Sequence, residues 1–244
     1  MKLYTFVQRN MKEILRDKVN VFFGIFFPIL LLVMLTLSQS NIPVEQFPLY
    51  NLTPGIAVFG LSFISLFSGL LIAKDRSSSF MMRMKCSPMK ATDFIFGYMI
   101  PFVPLAFIQT VVCYSVALCL GLTWSFLIIP CILVNTCISL FFISIGLLSG
   151  TFLTDKQVSS LLGALLTNLV AWLSGTWFDV GLVGGFFEKI ANALPFIHMV
   201  DLGRNMYQGS WDLALSNFMW VCCYTIVVLC VAIYLFSKKE MRVK

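Results

Sequence analysis

Charge is absent from five long stretches of the chain, residues 19–44, 46–73, 94–154, 157–178 and 213–237. Each is long enough to cross a bilayer, which takes about 20 mostly apolar residues for roughly 30 Å of hydrocarbon. The third, at 61 residues, is too long for one crossing. Near its middle, Gly121-Leu122-Thr123-Trp124 joins a turn former to an aromatic suited to the membrane surface, so the stretch divides in two. Six transmembrane helices are therefore predicted, in an all-α polytopic membrane protein with one domain over residues 1–244.

The flanking segments carry patterns of their own. An ideal helix over residues 3–16 places Leu3, Phe6, Val7, Met11, Ile14 and Leu15 on one half, with Lys2, Arg9, Lys12 and Arg16 clustered on the other. This predicts an N-terminal interfacial amphipathic helix within residues 1–18, its apolar side in the headgroup boundary and its basic side toward water. The hydrophobic stretch behind it is too long for a signal-peptide core and reads as an uncleaved first span. Residues 179–212 are apolar but broken by Gly181, Gly184, Gly185 and Pro195. Such backbone is expected to form short re-entrant helices before the last span, buried in protein or lining a wet cavity.

Charge then orients the six spans. Of the 17 Lys and Arg residues, 15 fall in segments on one face: residues 2–18, the loop 74–90, Lys156 and the C-terminal tail. Only Lys189 and Arg204 fall on the other, alongside Glu45, Asp179, Glu188, Asp201 and Asp212. Short cytoplasmic segments concentrate positive charge, so both termini are expected in the cytoplasm of a multi-pass cell-membrane protein.

Composition agrees: 59% of residues are hydrophobic, 11% are charged and the mean hydropathy is +0.91. The net charge of +6 is accounted for by orientation and by anionic lipid, with no nucleic-acid partner implied. Seven of the eight cysteines lie in predicted spans and Cys86 in a cytoplasmic loop, so no disulfide framework is expected. A single histidine leaves no zinc constellation, and no metal site is expected.

The loop 74–90 mixes Lys74, Arg76, Arg83 and Lys85 with Phe80, Met81, Met82 and Met84. Flexible apolar side chains beside basic ones suit an adaptable protein contact, or an interfacial segment that dips into lipid. The chain here resembles the permease subunits of type-2 ABC exporters, in particular bacterial drug- and antimicrobial-efflux permeases. After their second span these often carry an acid, an Arg, a small residue, a large apolar residue and a Pro, at the places held by Asp75, Arg76, Ser79, Met84 and Pro88. Asp75 stands where Glu is commoner and Ser79 where Gly is commoner. A second stretch, with Pro195, His198, Asp201, Arg204 and then Gly209, also resembles them.

The resemblance implies a permease that pairs with a second copy or a sister permease and is powered by two copies of a separate ABC ATPase, which hold ATP and Mg. It implies docking and coupling through Arg9, Lys12, Arg16, Asp75, Arg76, Ser79, Met82, Arg83, Met84 and Pro88. Pro195, His198, Asp201 and Arg204 would then form an outer gate or hold the re-entrant helices. On a helix His198, Asp201 and Arg204 follow at i+3 spacing and can form one polar ridge.

What the chain lacks narrows the function. No G-x-x-x-x-G-K-[ST] loop is present, so ATP cannot be held here by that route, and no cofactor is expected in this chain. The predicted spans hold no Asp, Glu, Lys, Arg or His away from their ends, which argues against an ion-coupled carrier. No catalytic set is expected, since the lone His198 has no nucleophile at a recognisable spacing. Within the spans, Gln109, Asn135, Thr167 and Asn168 either hydrogen-bond between helices or touch cargo. Twenty-four phenylalanines would give a cavity an aromatic lining suited to a lipophilic or amphipathic cargo, and bilayer contact accounts for most of them equally well; the resemblance implies a cargo such as a drug, antimicrobial peptide or lipid. A membrane-embedded sensor or immunity protein, and an intramembrane enzyme, are the competing readings.

Overall fold

The computed structural model describes residues 2–39, 48–78, 80–81, 83 and 91–240. Among them there is no strand, and the helices run as α1 Lys2–Arg16, α2 Lys18–Gln39, α3 Leu49–Ser77, α4 Ala91–Met99, α5 Phe102–Cys119, α6 Ile128–Phe152, α7 Asp155–Ser160, α8 Thr167–Leu173, α9 Val180–Val183, α10 Gly185–Ala193, α11 Pro195–Tyr207 and α12 Trp211–Glu240. Five helices are long and apolar enough to cross a membrane: Lys18–Gln39, Leu49–Ser77, Thr92–Cys119, Ile128–Phe152 and Trp211–Lys239. The third of these joins α4 to α5 through a break at Ile100 and Pro101, where proline supplies no backbone N–H.

The fifth expected span is helical over residues 155–173 but changes winding inside. Thr154 and Gln157 form a capping box at its start, and a π-helical turn, Leu161–Leu166, separates α7 from α8. Side chains take up carbonyls around that wider turn. Thr167 Oγ1 donates to the carbonyls of Gly163 (2.6 Å) and Ala164 (3.2 Å), and Asn168 Nδ2 donates to that of Ala164 (2.7 Å). At about 1.5 Å per residue the whole run measures roughly 28 Å, close to the bilayer core.

α3 is the buried axis, and small residues let its neighbours close on it. Gly146 and Gly150 on α6 face Ser65, Ser68 and Gly69 on α3, a small-xxx-small seam on both helices. A Cβ at Gly150 would stand 2.5 Å from the Gly69 carbonyl oxygen, so the two backbones touch there. Ser62 and Ser68 satisfy their hydroxyls within α3, donating to the carbonyls of Phe59 (2.6 Å) and Ser65 (3.0 Å). α2 and α12 lie outermost, with exposed rows such as Phe22, Phe23 and Phe26 on α2.

Candidate functional site

At the basic end of the molecule, α1 lies against α4 and the end of α3. Phe6 on its apolar side enters an aromatic box, with ring centroids 5.0 Å from Tyr98, 5.8 Å from Phe94 and 6.2 Å from Phe80. Gly97 makes room, because a Cβ there would overlap the Phe6 ring. Buried Asn10 donates from Nδ2 to the Gly97 carbonyl (2.9 Å), while Tyr4 and Leu15 stay exposed. Much of the apolar side of this helix thus meets protein where lipid was the expectation.

The same junction holds a buried charge. Arg9 grips Asp75 with both Nη atoms, Nη2 donating to Oδ1 at 2.8 Å, and the Tyr98 hydroxyl donates to Asp75 Oδ2 at 3.0 Å. The Arg9 guanidinium also lies 4.0 Å from the Phe80 ring centre. Burial pulls the Arg9 pKa down, but the hydrogen bond and charge of Asp75 outweigh it and leave the guanidinium more firmly protonated than usual. A bidentate Arg–carboxylate pair fixes orientation as well as distance, so α1 is locked in register on α3.

Arg76 turns away from the surface. Its guanidinium donates to the carbonyls of Thr151 and Leu153 (2.6 Å to the latter), at the C-terminus of α6. Lys239, near the end of α12, donates to the same Thr151 carbonyl at 2.8 Å. Two cations therefore meet the negative end of the α6 dipole and tie the ends of α3, α6 and α12 together.

On the opposite face, Arg204 on α11 binds three segments at once. Nε donates to the Asn51 carbonyl (3.1 Å), Nη2 to the Gly175 carbonyl (2.7 Å) and Nη1 to Asp201 Oδ1 (3.1 Å). A cavity of about 260 Å³ opens beside it, lined by Asn51, Trp177, Asp179, Asp201 and Arg204 among others. Burial pushes the Asp201 carboxyl above its ordinary value, and the Arg204 charge offsets this only in part. His198 does not join that pair as one ridge. Its Nδ1 lies 2.8 Å from Asn217 Oδ1 and its Nε2 2.9 Å from the Asn192 carbonyl, and the ring stacks on Trp220 at 5.1 Å. The imidazole thus bonds to α10 and α12, while its charge still acts on Asp201.

Residues 1–207 match the family model described as ABC-2 type transporter. The chain belongs to that family. No curated protein matches it. The match runs from α1 through α11, so it takes in both the Arg9–Asp75 junction and the Arg204 anchor. As an ABC-2 protein the chain is the membrane permease component of an ABC transporter, a transport subunit without its own ATPase site. The family generally works with a separate ATP-binding subunit.

Among the residues expected to serve this permease, Lys12, Arg16 and Arg83 are exposed, whereas Arg9, Asp75 and Arg76 spend their charges inside the molecule. Ser79, Met82, Met84 and Pro88 lie outside the described residues. Pro195 opens α11 at its first turn. Of the span candidates, Gln109 is buried and donates to the Ala57 carbonyl (3.3 Å), and Asn135 donates to Thr110 Oγ1 (2.8 Å), so both join helices. Thr167 bonds within its own helix, and Asn168 alone of the four is exposed, facing an apolar groove with Leu165, Leu169 and Trp172. Asn10, Tyr98 and Lys239 carry no sequence signal of their own and are recognised only from their contacts.

Proposed function

We propose that the chain is the permease of an ATP-driven exporter. Two copies, or this chain and a sister permease, enclose a path for a lipophilic or amphipathic substrate: a drug, an antimicrobial peptide or a lipid-like molecule. A separate ATPase, in two copies holding ATP and Mg, docks on the face carrying α1 and the loop 74–90, with both termini on the cytoplasmic side of a bacterial cell membrane. Cargo leaves past the Arg204 anchor. The apolar groove that exposes Asn168 at membrane depth is the face we assign to the second permease, because an amide gains a partner there that hydrocarbon cannot offer.

The observation that supports coupling most directly is the Arg9–Asp75–Tyr98 junction. A push on α1 reaches the end of α3 through a buried, bidentate contact, and α3 touches most other spans. Ligand-driven closure of the ATPases can then bias the membrane arrangement only through such a differential contact. The test is Lys12→Glu combined with Arg83→Glu, two exposed cations outside the internal pairs. Loss of ATPase co-purification and of ATP-dependent export, with the permease still in the membrane, is the expected result. Retained association and export would refute the docking assignment.

A further inference from the structure

A cavity of about 460 Å³ lies at the elbow between α1 and α2, at the end the charge count assigns to the cytoplasm. Its floor is apolar, built from Phe67 and Leu71 on α3 and from Phe102 and Leu105 at the start of α5. Its rim is acidic. The cytoplasmic side carries six Asp and Glu residues among 15 Lys and Arg, and three of the six, Glu13, Asp17 and Asp155, converge on this cavity.

The states of those carboxylates differ. Glu13 faces Lys74 at 3.6 Å, a pair exposed enough to exchange readily. Asp17 accepts from the backbone and side-chain amides of Asn20 (3.2 and 2.7 Å), which fixes it at the start of α2. The Asp155 carboxylate makes no hydrogen bond or ion pair among the described residues. Against the three acids the described part of the lining sets Arg16 and Lys74, so among the described residues the rim keeps a surplus negative charge in an otherwise basic surface. A cation placed there meets carboxylates, with the apolar floor beneath it. An alkyl tail attached to that cation continues onto the leucine floor at the level where α2 and α3 leave the bilayer.

We infer that this elbow cavity binds amphiphiles carrying an ammonium head, taken from the inner leaflet or the cytoplasm, with Asp155 and Asp17 receiving the head and Phe67, Leu71 and Phe102 the tail. Its role as a loading site rests on the export reading above, but the binding does not. An ammonium amphiphile can be a foreign cationic surfactant or an aminophospholipid of the membrane itself.

The test uses the purified chain in dodecyl maltoside with a photoreactive hexadecyltrimethylammonium, followed by peptide mapping of the adducts. Labelling is expected on peptides containing residues 67–71 and 102–105. Asp155→Asn is expected to reduce it about fivefold, the effect of removing one partly exposed charge partner. Leu71→Trp, which fills the floor, is expected to abolish it. Phosphatidylethanolamine that competes the label away identifies the membrane lipid as the resident ligand, and no competition identifies a foreign amphiphile; both support the site. Equal labelling of these peptides by photoreactive hexadecyl sulfate would overturn the ammonium assignment, as would undiminished labelling in Asp155→Asn. Labelling unchanged in both variants would overturn the cavity itself. The readout needs no ATPase, so failed transport with preserved labelling would indict the export reading and leave the site standing.

Discussion

Replacing Gly146 by Ala adds a single methyl group where α3 and α6 touch. That methyl would overlap Ser68 Oγ and the Ser65 carbonyl oxygen, and would stand 3.0 Å from the Gly69 nitrogen. The serine hydroxyl can rotate away only by giving up its 3.0 Å bond to the Ser65 carbonyl. The backbone atoms can yield only if the helices part, which opens the Gly150–Gly69 contact below. Overpacking of this kind costs about 1–3 kcal/mol, and with backbone on the other side the upper half of that range applies. The expected fall in unfolding midpoint is roughly 5–10 °C for a chain of this size, read by fluorescence-detected size exclusion after heating. Gly163→Ala is the control, since a Cβ there meets only the flexible end of Leu66, at 3.3 Å. Ser68→Gly added to Gly146→Ala should recover part of the loss by removing one clash. An unchanged midpoint in Gly146→Ala, or a larger loss in Gly163→Ala, would refute the close-contact account of the seam.

Arg9→Gln leaves the Asp75 carboxylate, 4% exposed, with Tyr98 as its remaining partner; discounting for the 32% exposure of Arg9, the cost is roughly 1–3 kcal/mol, seen as faster proteolysis within α1. Lys239→Gln should loosen the end of α12, raising modification of a cysteine placed at position 236, while Arg76→Gln lowers thermal stability more because it removes two donors, leaving the Leu153 carbonyl unmet and the Thr151 carbonyl with Lys239. Thr167→Val keeps the shape but removes the donor to Gly163 and Ala164, costing about 0.5–1.5 kcal/mol in chemical denaturation if the hydroxyl sustains the π turn. The raised pKa of Asp201 means that its native form binds the proton more tightly than the unfolded chain does. Its contribution is full below the ordinary carboxylate pKa and is lost as pH rises through the native value, so as pH rises above the ordinary carboxylate range stability should fall less in Asp201→Asn than in the native protein.

The spans were legible because hydrocarbon imposes one demand, a long run without charge, and the chain meets it in plain view. The amphipathic start was legible for a similar reason, as its period is written in Leu3, Phe6, Met11 and Ile14. Sequence could not say what that face would meet, since protein and lipid ask for the same apolar residues. Gly97 was the only trace of the Phe6 socket, and a single glycine has many uses. Arg76 shows a different limit: a basic residue in a basic loop looks like surface, yet its partners are backbone carbonyls 75 and 77 positions away, which no side-chain pattern records. The π turn was hidden as well, because Leu161–Leu166 reads as ordinary helix and only the donors just behind it, Thr167 and Asn168, hint at carbonyls in need of them. The His198 partners Trp220 and Asn217 lie on a later helix, which its local i+3 spacing could not record.

The seam between α3 and α6 also sets a schedule for the newborn chain. Gly69 leaves the ribosome 77 residues before Gly146. At roughly 5–20 residues per second, α3 waits about 4–15 s for the helix that covers Ser62, Ser65 and Ser68. Through that interval its hydroxyl-rich side has neither lipid nor protein suited to it. The hydroxyls of Ser62 and Ser68, folded back on their own helix, let α3 endure the delay, while the Ser65 hydroxyl, without a hydrogen-bond partner among the described residues, is covered unmet when α6 arrives. The same internal bonds that finish the seam make it possible to insert its first half alone.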